Sequence, residues 1–141
     1  MLYQYSKTFR LPFDEVVTSL QDSLMQQGFS MMTTLDVKAH VRSELSVRFR
    51  NYTILSVCNP ELSYKAISLE SHVGIVLPCN IVIQEHENGQ TEISAVNPME
   101  TLDHNMTTAS LELIGTEVST RLRSAIDSIH LKKSTLSFSY N

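Results

Sequence analysis

The residues of this chain with the clearest chemical potential are its two cysteines, which lie in two triplets of nearly mirrored sequence. The triplets are Cys58-Asn59-Pro60 and Pro78-Cys79-Asn80, and each lies where an apolar run breaks. Asn97-Pro98 is a third junction of asparagine with proline. Thiolates are nucleophiles and metal ligands, and amides both donate and accept hydrogen bonds. We therefore predict a small-ligand site formed by Cys58, Asn59, Pro60, Pro78, Cys79, Asn80 and Asn97.

The two thiols are expected to differ in reactivity. Cys58 precedes a predicted helix, whose N-terminal dipole lowers a thiol pKa, but it follows the apolar run Tyr52 to Val57, and burial raises that pKa by more. Cys79 follows Pro78, which cannot donate a hydrogen bond inside a sheet. We therefore expect Cys79 at an accessible strand edge or start, where it reacts faster than Cys58.

Other chemical signatures are missing from the sequence. The spacing between Cys58 and Cys79 matches no zinc or dithiol motif, so a metal would need His72 or His104 as a further ligand. No serine lies in a Gly-x-Ser-x-Gly elbow, and four glycines are too few for phosphate-binding loops. We expect no metal and no cofactor.

Two classes of function are compatible with these residues. The first is a non-catalytic ligand-binding or regulatory module, and the second is a thiol-dependent enzyme or redox switch that uses Cys58 or Cys79 with His72 or His104 as base. The binding module is favoured, because the sequence supplies thiols and amides but no assured general base. Whether the protein is an enzyme, and which ligand it takes, stay open.

Composition limits the partners and the compartment. The chain has 141 residues, a net charge of -4 and 42% hydrophobic residues, values typical of one globular domain. Its pI is near 5.7, and basic residues do not cluster beyond Lys132-Lys133, which argues against nucleic acid as a partner. No apolar run is long enough to cross a bilayer, and the N-terminus lacks a signal pattern. We expect a cytoplasmic protein with reduced cysteines and no membrane partner.

The order of predicted elements is strand, helix, strand, helix, strand, helix, hairpin and helix. Asp36 is predicted to cap the second helix, and Tyr52 to Val57 is the candidate central strand, covered on both faces. Asn88-Gly89 predicts a two-residue hairpin turn, with Glu85 opposite Glu92. An apolar stripe predicts the last and longest helix through Leu111, Ile114, Val118, Leu122, Ala125 and Ile129.

These elements predict one compact α+β domain over residues 1–131, with a mixed β-sheet, a β-hairpin and about four helices packed on the sheet. Residues 132–141 form a tail in which Leu136, Phe138 and Tyr140 alternate with serines. The alternation predicts an edge strand or the arm of a dimer. Together with the long apolar stripe, it also predicts a homodimer.

The sequence resembles a domain-of-unknown-function family, the one numbered 302, over about residues 10 to 127. The resemblance rests on four stretches: Gly28-Phe29 with Thr34-Leu35-Asp36-Val37-Lys38, Cys58-Asn59-Pro60-Glu61-Leu62, Leu77-Pro78-Cys79-Asn80-Ile81-Val82 and Ser94-Ala95-Val96-Asn97-Pro98. It implies a compact α+β fold, a homodimer and no established activity. Asn97 stands where the family usually has an acidic residue, and Ser63 where a small apolar residue is common, so no charge-dependent role is assigned to Asn97.

Overall fold

The computed structural model describes residues 4–98 and 108–139, with side chains described in 4–98 and 108–129. The described strands are β1 (Gln4–Phe9), β2 (Ser30–Asp36), β3 (Tyr52–Cys58), β4 (Cys79–Glu85) and β5 (Thr91–Val96). The described helices are α1 (Phe13–Gln26), α2 (Val37–Leu45), α3 (Pro60–Leu69), a 3₁₀ helix (Ser71–Val76) and α4 (Ala109–Ser139). The predicted single-domain α+β architecture is confirmed.

The five described strands form one sheet in the order β1-β5-β4-β3-β2, and every neighbouring pair is antiparallel. The predicted mixed sheet is therefore wrong in this detail. Helices between strands suggested parallel crossovers, which join neighbouring strands. Instead, α1 carries the chain from β1 at one edge of the sheet to β2 at the opposite edge.

The core lies on one face of this sheet. Side chains in β3 alternate between buried and half-buried positions, with Leu55 and Val57 fully buried. Helices α1 and α4 cover the same face through a cluster that includes Val16, Leu20, Leu24, Val118, Leu122, Ala125, Ile126 and Ile129. The prediction of a central strand covered on both faces is therefore wrong. β3 lies next to the edge strand β2, and its Tyr52 and Ile54 are only half-buried on the open face.

Two local predictions from residue type are confirmed at the helices. The Asp36 side chain accepts a hydrogen bond from the Ala39 backbone N–H at 3.0 Å, so it caps α2 as predicted. The apolar stripe of α4 is buried at Leu111, Val118, Leu122, Ala125 and Ile129. Both signals are local, because a cap and a helical period depend on residues within one or a few turns.

The hairpin between β4 and β5 has a longer turn than predicted. Glu85 pairs with Thr91 and Gln84 with Glu92, one residue away from the predicted register. The His86 N–H donates to the Gln90 carbonyl at 2.8 Å, which leaves a three-residue loop whose last residue, Gly89, has a φ of 83°. The predicted pairing of two carboxylates is replaced by a hydrogen bond from Gln84 to Glu92 at 3.4 Å.

The C-terminal tail is helical up to Ser139, where its alternation predicted an edge strand. Extending an existing helix adds one hydrogen bond per residue fixed, whereas a new strand needs a partner edge. Tyr140 lies outside the described residues. The domain boundary at residue 131 and a role of the tail in a dimer stay predictions.

Candidate functional site

The register of the sheet brings the two cysteine triplets together. Val57 pairs with Cys79 across the β3–β4 ladder, and Ser56 pairs with Asn80. The predicted meeting of the triplets is therefore confirmed. Asn97 follows β5, which is the other neighbour of β4. Because β4 and β5 are antiparallel, β5 ends beside the start of β4.

The two thiols point to opposite faces of the sheet. Cys79 is paired with Val57, and both side chains are buried in the core. Cys58 is the next residue along β3, so its side chain projects from the open face. There its Sγ lies 3.6 Å from Sδ of Met32. A single ligand on one face of the sheet cannot contact both sulfur atoms.

Burial shields the Cys79 thiol and raises its pKa. Its side chain is 2% exposed, and its pKa is raised to about 11, first by burial and then by the neighbouring Cys58 thiolate charge. The expectation of an accessible Cys79 is therefore wrong, and its burial favours slow reaction. The sequence placed Cys79 correctly at the start of a strand, but β4 has neighbours on both sides and the core above it.

Asn59 and Pro60 begin α3. Asn59 is 5% exposed, and its Oδ1 accepts a hydrogen bond from the Leu62 backbone N–H at 3.1 Å. Pro60 occupies the first turn, where its missing N–H costs no hydrogen bond. The side-chain oxygen of Asn59, one of the predicted site residues, therefore caps a helix.

Sequence reasoning missed the close approach of Gly28 to Asn59, and it missed Arg121, whose Nη1 would lie 3.4 Å from a Cβ atom at Gly28. A Cβ atom at Gly28 would lie 3.0 Å from Asn59 Nδ2, and the φ of Gly28 is 87°. Arg121 of α4 donates from Nη1 to the Gln27 carbonyl at 3.4 Å and from Nε to Glu117 at 2.8 Å. Gly28 was recognisable as a helix stop, but Arg121 had no signal, because its approach depends on how α4 packs on α1.

The remaining asparagines occupy different surroundings. Asn80 is exposed on the open face, where its Oδ1 accepts a hydrogen bond from the Ser56 hydroxyl at 2.7 Å. Asn97 is half-buried beside the buried Pro98. The predicted site is thus divided between the open face of the sheet, the start of α3 and the end of β5.

A small apolar cavity lies beside two of the three junctions. Its volume is about 40 Å³. Leu77, which precedes Pro78, and Pro98, which follows Asn97, both line it. Its other lining residues come from α3, the 3₁₀ helix and α4: Ala66, Val73, Val76, Leu111, Ile114, Gly115 and Val118. By this measure one water needs roughly 10–15 Å³, so the cavity accepts about three heavy atoms.

A second, open groove of about 710 Å³ lies beside the hairpin loop. Its lining is polar and carries both signs of charge, through Arg50, Gln84, Glu85, His86, Glu87 and Asn88. Several of these groups are bonded to protein: Arg50 Nε donates to Gln84 at 3.1 Å, and Asn51 donates to Glu85 at 2.9 Å. This groove lies away from the three junctions.

Two described histidines lie beside carboxylates, His72 beside Glu70 and His86 beside Glu92, each at 3.2 Å. His72 is exposed and lies 3.2 Å from Glu70, at the start of the 3₁₀ helix. His104 lies outside the described residues. Within residues 4–98 and 108–129, no three His, Cys, Asp or Glu side chains gather closely enough to hold a metal ion. In the same part of the chain, no helix has the length and hydropathy needed to cross a bilayer.

Comparison with known proteins agrees with this fold and supplies a family. The family model described as "Domain of unknown function DUF302" matches residues 5–129. The structure of an uncharacterized conserved protein of the same description from Bacillus stearothermophilus is similar to this one, with a TM-score of 0.81 and 26% sequence identity. The similarity covers 90% of this chain and 98% of that one. No curated protein matches the chain.

Proposed function

Because this chain belongs to the DUF302 family, whose description assigns no activity, we propose a function from the site itself: a non-catalytic module that binds a small ligand at the strand-end junctions. The observation that carries the proposal is the apolar cavity bounded by Leu77 and Pro98. Both residues adjoin an asparagine–proline or proline–cysteine junction. Apolar cavities flanked by a few polar groups are the usual form of small-molecule sites.

The size of the cavity restricts the ligand. About three heavy atoms fit inside, so the ligand would insert a short branched apolar end and leave its remainder at the mouth. Asn97, next to Pro98 in sequence, is the nearest amide along the chain. We infer a ligand with an isopropyl-sized end and a polar group able to bond an amide.

Isobutyramide, which has both features, is a suitable probe for this proposal. In two-dimensional amide NMR spectra, isobutyramide should shift the signals of Leu77, Asn97 and Val118, whereas acetamide at equal concentration should not. The variant Ala66→Leu fills the cavity and should abolish the shifts. Thr18→Leu on the exposed surface of α1 is the matched control and should leave them unchanged. Equal shifts with both amides, or undiminished shifts in Ala66→Leu, would refute the proposal.

The thiol-dependent alternative applies only to Cys58 of the two cysteines. Cys79 is buried with a raised pKa, whereas Cys58 is half-exposed and directly precedes the N-cap of α3. Against catalysis, the group in contact with the Cys58 thiol is the Met32 thioether, a weak acceptor that cannot serve as a general base. A redox role of Cys58 is the form of the alternative that the surroundings favour, because oxidation needs exposure but no base.

The proposal also includes assembly and location. We propose that the protein acts as a homodimer in the cytoplasm, as the sequence analysis predicts. Exposed apolar side chains on two surfaces support the dimer. Reduced cysteines, one of them buried beside the core, are compatible with that compartment.

A further inference from the structure

Exposed apolar side chains gather on two surfaces of this protein. The first surface belongs to the segment between β2 and β3, residues 37–50, which we call the basic connection. Leu45, Val47 and Phe49 of this segment are exposed, Leu45 to 66%, and Met32 and Leu35 of β2 are exposed before it. Side chains of this kind on a folded surface mark a place where a partner binds.

The basic connection makes few contacts with the rest of its own chain. None of the nine residues of α2 is buried. The helix ends at Ser46 in the left-handed conformation, with a φ of 55°, and residues 46–50 then belong to no helix or strand. The Arg50 guanidinium stacks on the rings of Phe49 and Tyr52, at 4.5 and 5.5 Å. The segment is therefore held at its ends, and its side chains Leu45, Val47 and Phe49 stay uncovered.

The charge of the basic connection is opposite to that of the whole molecule. The segment contains Lys38, Arg42, Arg48 and Arg50 against one carboxylate, Glu44, which gives a net charge of +3. The whole chain carries -4. The other residues therefore carry -7, and an acidic partner surface is available on a second copy of the same chain.

The second apolar surface is acidic. It is formed by the exposed sides of α3, the 3₁₀ helix and the first turns of α4, which pack together around Ala66, Val73 and Leu111; we call it the acidic surface. Its exposed apolar side chains are Tyr64, Ile67, Leu69, Ile75 and Leu113, with Ile75 exposed to 81%. Its charged side chains are Glu61, Glu70 and Glu112 against Lys65, a net charge of -2, and Glu117 of α4 is paired with Arg121 at 2.8 Å.

We propose that the basic connection of one protomer docks on the acidic surface of a second copy of the same chain, and that the contact is made twice about a two-fold axis. The acidic surface offers five large exposed apolar side chains and the basic connection offers three, with Met32 and Leu35 of β2 preceding it. The net charges of the two surfaces are opposite in sign. Complementary potentials of this kind select the partner and fix its orientation. Two different patches that meet reciprocally close the assembly at two copies. This inference rests on the proposed homodimer and adds which surfaces form it.

Charge reversal with mixing tests the proposal. The connection variant is Arg42→Glu with Arg48→Glu, and the acceptor variant is Glu61→Lys with Glu112→Lys. Each variant alone meets like charge in both contacts, so its dimer should dissociate at about tenfold or more higher concentration than the wild type. An equimolar mixture should recover wild-type affinity, because opposite charges then meet in both contacts of the mixed dimer.

Sedimentation velocity across a concentration series measures this, with circular dichroism to verify that each variant is folded. Arg10→Glu and Asp22→Lys lie outside both surfaces and should leave dissociation within about twofold of wild type. A wild-type monomer of 15.9 kDa at all concentrations overturns both the homodimer and this interface. If both variants dimerise as tightly as the wild type, or if mixing them does not restore wild-type affinity, the proposed interface is wrong but the homodimer is not. Retained isobutyramide binding in either case leaves the ligand proposal intact.

Discussion

The environment of single residues decides what the junctions can do. Asn59 was recognisable from sequence as a helix cap, because capping depends on a residue three positions away. The burial of Cys79 was not recognisable. It depends on β3 and β5 pairing on its two sides and on helices that cover the same face, which are contacts from distant parts of the chain. Residue type identified where the junctions are, but not which face of the sheet each side chain occupies.

Alkylation of the native protein should separate the two thiols. Iodoacetamide attacks the thiolate, whose fraction at neutral pH falls about tenfold for each unit by which the pKa rises. With a pKa of about 11 and almost no exposure, Cys79 should react at least about a hundredfold more slowly than a free thiol with the ordinary pKa of 9.0, and more slowly than the half-exposed Cys58. Mass spectrometry of tryptic peptides after timed labelling measures both rates. In the Cys58→Ser variant, Cys79 should be labelled only when the protein unfolds. Rapid labelling of Cys79 in this variant would contradict its burial in the core.

Between elements, polar side chains join the edge strand β1 to the longest helix, α4. The Tyr5 hydroxyl of β1 donates to Asp127 of α4 at 2.7 Å, and Lys7 donates to the same oxygen at 3.1 Å. Burial alone would raise the pKa of the Asp127 carboxyl, but these hydrogen bonds and the positive charges of Lys7 and Arg123 outweigh burial and lower it. The hydrogen bond to Asp127 is also the main reason that the pKa of Tyr5 is raised.

Removal of the Asp127 charge should make stability less dependent on pH. Because the folded pKa lies below the ordinary value of 3.8, the stabilisation is complete above that value and is lost as pH falls through the folded pKa. The side chain is 46% exposed, so solvent screening limits the effect to below about 1 kcal/mol. Asp127→Asn should lower the free energy of unfolding in urea at pH 7 and match the wild type near pH 2. Asp22→Asn is the control, and an equal loss at both pH values would exclude a role for the charge.

In the molecule as a whole, the spacing of apolar residues and the helix-capping residues predicted the helices and strands. Pairing between strands far apart in sequence decided how these elements are arranged. The stripe from Leu111 to Ile129 and the cap at Asp36 were predictable, because both depend on local spacing. The open face of the sheet was not, since Tyr52 to Val57 reads as apolar on both sides. The alternation at Leu136 and Phe138 favoured a strand, but the chain continues as helix to Ser139.

Two hypotheses about the dimer contact compete: one assigns it to the C-terminal tail, and the other to the basic connection and the acidic surface. If the basic connection and the acidic surface form the dimer, deletion of residues 132–141 should leave the mass measured by light scattering at twice the chain mass. The deletion begins after Ile129, the last residue of the described core, so the fold should persist. Circular dichroism checks the fold. A deleted protein that becomes monomeric would assign the dimer contact to the tail.

The position of β1 in the sheet also has a consequence for how the chain acquires its structure. β1 is synthesised first, yet its partner is β5, with Gln4 opposite Val96. About ninety residues must therefore be ordered or looped out before this edge can close, and contacts of such long sequence separation slow folding. On the ribosome, β1 has no strand to pair with until residue 96 has emerged from the exit tunnel. During that interval Tyr5 and Phe9 of the nascent chain lie without their final neighbours, so we expect this segment to stay exposed until β5 has been made.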